Sequence, residues 1–197
     1  MKESEHFPDP HHDVSANTVF GFWVYLMTDC ILFATLFAAY AVLKDGTFGG
    51  PSAKEILILR DALWMTLVLA ASAFTCGIAS LQIAQNNVKK LAFWYGATFL
   101  LGFIFIGMVG DDFDRLIELG NGWQANAFLT SYFTLMGTHA LHIAFGLLFM
   151  IVFVAQAIRW GFTPMVVRRL HCLKIFWFFS YLIWIFMFTI VYLIGAT

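Results

Sequence analysis

The chain has 197 residues, 61% of them hydrophobic and 18% aromatic but only 12% charged, where an ordinary soluble domain carries roughly 25% charged residues. This composition belongs to a membrane and excludes a soluble enzyme: five apolar spans of about 22 residues would use about 110 positions and leave no length for a separate soluble domain. The formal net charge is -1 and the 11 basic residues are scattered, so no cationic run can follow a nucleic-acid backbone, and nucleic acid is excluded as a partner.

Residues 1–18 hold Pro8, Pro10, His6, His11, His12 and few apolar side chains, so they bury too little to fold alone and read as a flexible cytoplasmic tail. The three histidines read as part of a solvated low-complexity segment rather than a metal site. The first apolar run follows this acidic tail without the basic n-region of a cleaved signal peptide, and is expected to stay as a membrane span. Span one covers about 19–43 and stops at Lys44-Asp45-Gly46, before the loop signal Gly49-Gly50-Pro51. Span two covers about 62–84. The turn Gln85-Asn86-Asn87 with Lys89-Lys90 is so short that span three, about 91–110, must return antiparallel. Asp111, Asp112 and Asp114 are expected to close span three as an interfacial loop. Span four, about 127–157, is roughly 46 Å long at 1.5 Å per residue, more than a 30 Å hydrocarbon core needs, so it should tilt or protrude. Span five covers about 172–194.

No internal repeat occurs at a fixed period, and no pair of spans reads as the inverted repeat of a transporter. The apolar runs are continuous rather than alternating, and backbone groups in lipid must be satisfied within the segment. Residues 19–197 are therefore read as one all-α membrane domain, a five-transmembrane-helix bundle. With five spans, Lys2, Lys89, Lys90, Arg159, Arg168, Arg169 and Lys174 share one side, against Lys44, Lys54, Arg60 and Arg115 on the other. The positive-inside rule then puts the N-terminus in the cytoplasm and the C-terminus in the periplasm. Trp64, Trp94, Trp123 and Trp160 fall near span ends, where indoles favour the headgroup region. Cys30, Cys76 and Cys172 are odd in number and lack CxxC spacing; they read as small buried hydrophobes.

A few polar groups sit where hydrocarbon penalises them. Asp29 lies near the middle of span one, where an ionised carboxylate costs roughly 2.5–3.5 kcal/mol on insertion scales, so it must face protein, water or a lipid headgroup. It is a candidate proton-exchanging or lipid-facing group, with a neutral acid hydrogen-bonded to a neighbouring helix as the alternative. His139 and His142, at i and i+3, share a face of span four and can meet a neighbouring helix. Haem ligation is disfavoured, because the other histidine nearby, His171, lies roughly 20 Å away along the membrane normal. A metal site would need a third ligand, and none reads at compatible depth; polar inter-helix contacts are the expected role of His139 and His142. Asp112 has a local partner in Arg115 at i+3. Arg168 and Arg169 could hold an anionic phospholipid or a partner's carboxylates. No phosphate loop, nucleophile elbow or HExxH string is present, so no catalytic residue is assigned.

Several strings stand out together: Gly21-Phe22-Trp23 and Thr28-Asp29-Cys30-Ile31-Leu32-Phe33 in span one, Gly137-Thr138-His139-Ala140-Leu141-His142 with Gly146 in span four, and Phe176-Trp177, Trp184 and Val191-Tyr192-Leu193 in span five. Their order and spacing resemble subunit III of the haem–copper oxidases, in the five-span form of the bacterial cytochrome o ubiquinol oxidases. The resemblance implies a subunit that binds no cofactor itself and packs against a catalytic subunit holding the haems and copper, in company with oxidase subunits I, II and IV, in the bacterial inner membrane. It implies a V-shaped cleft between the first two helices and the last three, occupied by phospholipid. Asp29 matches the family's proton-related carboxylate, His139 and His142 its histidine pair, and Asp112-Phe113 its acid–aromatic step, with Asp where Glu is usual. Two departures stand against this: Phe178 and Tyr181 replace the family's usual His and Asp in F-W-H-F-x-D-x-x-W, and Val109 stands where a Glu is common. The sequence thus reads as a non-catalytic subunit III of a proton-translocating terminal quinol oxidase, which oxidises ubiquinol and reduces dioxygen to water. A membrane-anchor cytochrome binding haem b through His139 and His142 is the alternative, and a small transporter a weaker third.

Overall fold

The computed structural model describes residues 14–47, 49, 50, 53–193 and 195, and among these it is all-helical, with no strand. The expected tail, with His6, His11 and His12, lies largely outside the described residues. Helix α1 runs Val14–Leu43, α2 is one turn at Ala53–Ile56, and α3 runs Leu59–Ala84. Helices α4, α5 and α6 run Val88–Glu118, Ala127–Trp160 and Pro164–Met187, and a π-helical turn, Phe188–Leu193, continues α6. Among the described residues, five stretches are long and apolar enough to cross a membrane: Thr18–Leu43, Leu59–Ala84, Val88–Glu118, Ala127–Trp160 and Pro164–Leu193.

Two boundaries differ from the sequence reading by more than two helical turns, each for a local reason. Span three does not stop at Gly110; α4 continues through Asp111, Asp112 and Asp114 to Glu118. Asp112 finds its countercharge one turn on, at Arg115, so the helix has no electrostatic reason to break until Gly120, which takes a left-handed φ of 76°. Span five begins at Pro164 rather than near 172, because Thr163 caps the helix, accepting from the Val166 N–H, with Pro164 at the first position. Arg168 and Arg169 therefore sit on a helix, not in a loop. Asn126 starts α5 in the same way, accepting from the Leu129 N–H at 2.7 Å.

Lipid offers no hydrophobic drive for helix association, so packing and hydrogen bonds between helices must hold the bundle. The most extensive interface is the α3–α4 hairpin, which the short turn at 85–87 enforces. Thr75 and Thr98 share a hydroxyl–hydroxyl bond of 2.8 Å across it. Helix α6 closes on α3 through two indoles: Trp177 donates to Ser72 at 3.2 Å and Trp184 to Thr66 at 2.9 Å. The Trp177 ring runs between two glycines. A Cβ on Gly102 would lie 2.9 Å from it, and one on Gly146 3.0 Å from it and 2.9 Å from Phe176.

Helix α1 is peripheral, packing on α5 and less extensively on α6. It buries a narrow stripe, Leu26, Asp29, Phe33 and Tyr40, and leaves most other positions exposed. Cys30 is on the exposed side, Cys172 is half-buried and Cys76 is buried, so only the last fits the expected small core hydrophobe; all three are free thiols. The division implied by the resemblance, with a cleft between the first two helices and the last three, is not observed: α3 makes its largest interface with α4. Grooves lie instead on both flanks of the first half of α1.

Candidate functional site

Two polar clusters occupy the bundle, one at mid-depth and one at the end where α4 stops. At mid-depth, Asp29 of α1 meets His142 of α5, Oδ1 to Nε2 at 3.5 Å. Asp29 is 6% exposed, and its Oδ2 has no hydrogen-bond partner among the described residues. The other imidazole nitrogen of His142, Nδ1, lies 2.8 Å from the Thr138 carbonyl. A carbonyl only accepts, so Nδ1 carries a hydrogen, and Nε2 is the nitrogen left to face the acid. One proton can then reside on either partner: a neutral acid facing a bare Nε2, or a carboxylate facing imidazolium. Asp29 thus lies at the depth of His142, where the sequence reading found no matching group.

His139 makes no polar inter-helix contact. It is completely buried, and neither ring nitrogen has a hydrogen-bond partner among the described residues. Its neighbours are aromatic: Phe105 edge-on at 5.8 Å between centroids, Trp184 at 5.6 Å and Phe33 at 6.3 Å. Phe33 also reaches His142 at 5.1 Å, which links the two imidazoles through one ring. This arrangement does not fit a haem. Both histidines lie on one face of one helix, and the carbon cage around His139 leaves no room for a porphyrin edge.

At the end of α4, Asp112 is 9% exposed and accepts on both oxygens. Arg115 Nη2 donates to Oδ1 at 2.5 Å and the Tyr132 hydroxyl to Oδ2 at 2.6 Å. Since the single Tyr132 hydrogen is committed to the carboxylate, the 2.9 Å contact with Tyr192 runs from the Tyr192 hydroxyl to the Tyr132 oxygen. Arg115 also donates to the Ile56 carbonyl at 3.3 Å, which ties in α2. The network joins α4, α5, the π-turn and the first connection, and borders a cavity of about 210 Å³ that Asp61 and Asp111 also line.

Arg169 donates through Nη1 to Gln156 Oε1 at 2.6 Å. It lies at a groove of about 410 Å³ between α1, α5 and α6, lined otherwise by side chains such as Phe22, Tyr25, Phe153 and Phe176. Arg168 is half-buried beside it. Tyr25, one turn before Asp29, interacts with that carboxylate and lines the same groove. At the positions that depart from the resemblance, Phe178 lines a second groove near Gly77, Tyr181 is half-buried, and Val109 is in the core. Sequence reasoning paired Asp112 with Arg115 but did not find Tyr132, Tyr192, Gln156 or Thr138. Their partners are 13 to 60 positions away or, for Thr138, a backbone atom, and no spacing in the sequence signals such contacts.

No family model matches the chain. Among curated proteins, it is 48% identical to the cytochrome bo(3) ubiquinol oxidase subunit 3 of Pseudomonas aeruginosa, over 98% of this chain and 93% of that one. It is 45% identical to the protein of the same name from Pseudomonas putida, over 94% of this chain and 89% of that one. It is also 35% identical to cytochrome c oxidase subunit 3 of Bacillus sp. strain PS3, over 91% of this chain and 86% of that one. With identity at this level over nearly all of its length, the chain belongs to the subunit 3 family of the terminal quinol oxidases, as a non-catalytic member of an oxidoreductase complex.

Proposed function

We propose that this subunit III acts beside the reaction in three ways: it stabilises the catalytic subunit of a proton-translocating ubiquinol oxidase, it holds phospholipid at the Arg169 groove, and it keeps a proton-exchanging pair at Asp29–His142. The haems and copper belong to the neighbouring catalytic subunit, with subunits I, II and IV completing the complex in the bacterial inner membrane. The basic residues support a cytoplasmic N-terminus and periplasmic C-terminus, since Lys89, Lys90, Arg159, Arg168, Arg169 and Lys174 gather at one end of the bundle.

The observation that carries the proton role is the 3.5 Å approach of Asp29 to a histidine whose second nitrogen is already committed to a carbonyl. Such a pair takes up or releases one proton without breaking the helix contacts around it. Tyr25 connects it to the groove on the N-terminal side. The test is Asp29→Asn in the assembled oxidase, reading proton release and activity through sustained turnover. Assembly with normal initial activity, followed by faster inactivation or weaker pumping, is expected. Unchanged behaviour in both would reduce Asp29 to a structural residue.

A further inference from the structure

Whether a buried phenol can give up an electron depends on where its proton goes. A tyrosine that loses one electron becomes a strong acid, and in a low-dielectric interior the proton needs an acceptor within hydrogen-bond reach. The hydroxyl of buried Tyr40 has no hydrogen-bond partner among the described residues, that of Tyr95 meets the Cys76 thiol, and that of Tyr192 donates to another phenol. None of these partners is a base. Tyr132 differs: it is 1% exposed and donates to a carboxylate oxygen, Asp112 Oδ2, at 2.6 Å.

An electron leaving Tyr132 would thus leave a neutral phenoxyl beside a neutral acid, with no charge created in the bundle. The Tyr192 hydroxyl, 2.9 Å away, goes on donating to the phenoxyl oxygen. Arg115 stays in acidic surroundings after Asp112 is protonated, because Asp61 and Asp111 line the same cavity. The approach to Tyr132 is aromatic: its ring lies 6.4 Å from that of Tyr192, and Tyr192 lies 6.4 Å from Trp184. Trp184 is completely buried. Three oxidisable side chains therefore stand ring to ring, from the α3–α6 interface to the end of α4.

We propose that Tyr132 is a one-electron donor, with Asp112 as its proton acceptor and with Tyr192 and Trp184 as the path by which an oxidising equivalent reaches it. The oxidant is incompletely reduced oxygen of the hydrogen peroxide class, formed in a dioxygen-reducing complex when a turnover fails. The oxidant gains one electron, Tyr132 becomes a neutral phenoxyl, and the phenolic proton moves to Asp112. Quinol, the reductant of the complex, then supplies an electron to the phenoxyl while Asp112 returns the proton. Two such events convert one quinol to quinone with release of its two protons. This role rests on the place of the chain in a quinol oxidase and is independent of the Asp29–His142 pair.

The test uses the purified oxidase complex, mixed with hydrogen peroxide, frozen, and read for tyrosyl radical by electron paramagnetic resonance. Wild type should show a tyrosyl component that Tyr132→Phe removes and that Tyr40→Phe and Tyr95→Phe leave in place. Asp112→Asn keeps the shape of the side chain but takes no proton, and should lower that component about a hundredfold, the low end of what a positioned base contributes. Ubiquinol added before freezing should abolish it. In heavy water the radical should carry an exchangeable deuteron coupling from the Tyr192 hydroxyl, which Tyr192→Phe loses. A Tyr132→Phe complex with full haem content and the whole wild-type signal overturns the proposal, since the radical then belongs to another subunit. So does an Asp112→Asn yield equal to wild type, or an equal loss of signal in Tyr95→Phe. If Tyr132→Phe fails to assemble, the Asp112→Asn yield and the deuteron coupling in Tyr192→Phe still decide.

Discussion

Replacing Gly146 by alanine tests whether the centre of the bundle is closed around Trp177. The new Cβ would sit 2.9 Å from Phe176 Cε1, 3.0 Å from Trp177 Cζ3 and 3.2 Å from Trp177 Cε3, against an optimal carbon–carbon separation of roughly 3.5–4.0 Å. The indole cannot retreat. It is 1% exposed and its Nε1 is tied to Ser72. Forcing a methyl into such a site costs about 1–3 kcal/mol, and the better helix propensity of alanine returns about 1 kcal/mol, so the net loss is about 0–2 kcal/mol, centred near 1 kcal/mol. Gly107, on the same helix as Gly102, has no atom within 4 Å of a built Cβ, and its alanine variant should gain roughly 0.5–1 kcal/mol. The two variants should therefore separate by about 2 kcal/mol. Heating the purified oxidase and following release of this chain by gel filtration reads that difference as a lower release temperature for Gly146→Ala. A Gly146→Ala complex as robust as Gly107→Ala would show that Trp177 has room to move, and would refute the cradle.

Asp112→Ala leaves the Arg115 guanidinium and the Tyr132 hydroxyl without their acceptor; because the Arg115 side chain is 32% exposed, the loss should be near the low end for a broken buried pair, about 3 kcal/mol. Tyr132→Phe, which keeps the ion pair, should cost about 1–2 kcal/mol in the same release assay; equal losses from both variants would show that the carboxylate is not the hub. His139→Phe removes a buried polar ring that makes no hydrogen bond and keeps the aromatic packing, so stability should change by less than about 1.5 kcal/mol. The haem spectrum of the complex should be unaltered, and a spectrum that changed would reopen ligation by this chain.

Much of the fold was legible because a membrane imposes a simple rule. Runs such as 62–84 and 127–157 must be helices once hydrocarbon surrounds them, and Gln85-Asn86-Asn87 leaves no choice about which neighbours pair. The legible part of the site was the cost of its charges: Asp29 had to be facing something, and Asp112 had Arg115 within one turn. What the acids meet across the bundle was not legible. His142 reaches Asp29 because α1 packs on α5, and that choice depends on which helix faces interlock, not on either helix's own pattern. The end of α4 was misjudged because Asp111, Asp112 and Asp114 look alike as letters, although only Asp112 turns inward. Helix order in space also escaped, so the cleft implied by the resemblance could be corrected only from the packing of α3 on α4.

The π-turn at Phe188–Leu193 has a consequence for length. Its wider winding carries both Val191 and Tyr192 to the inner side, and Tyr192 must land there for its hydroxyl to meet Tyr132. Returning this stretch to ordinary α winding with all its residues kept would rotate its end by about 100° about the helix axis. Tyr192 would then point outwards. This end of the molecule depends on how it is wound more than on which aliphatic side chains it carries: exchanging one for another is a small event, while tightening the turn between Met187 and Tyr192 with every residue kept unhooks the last helix from its neighbour.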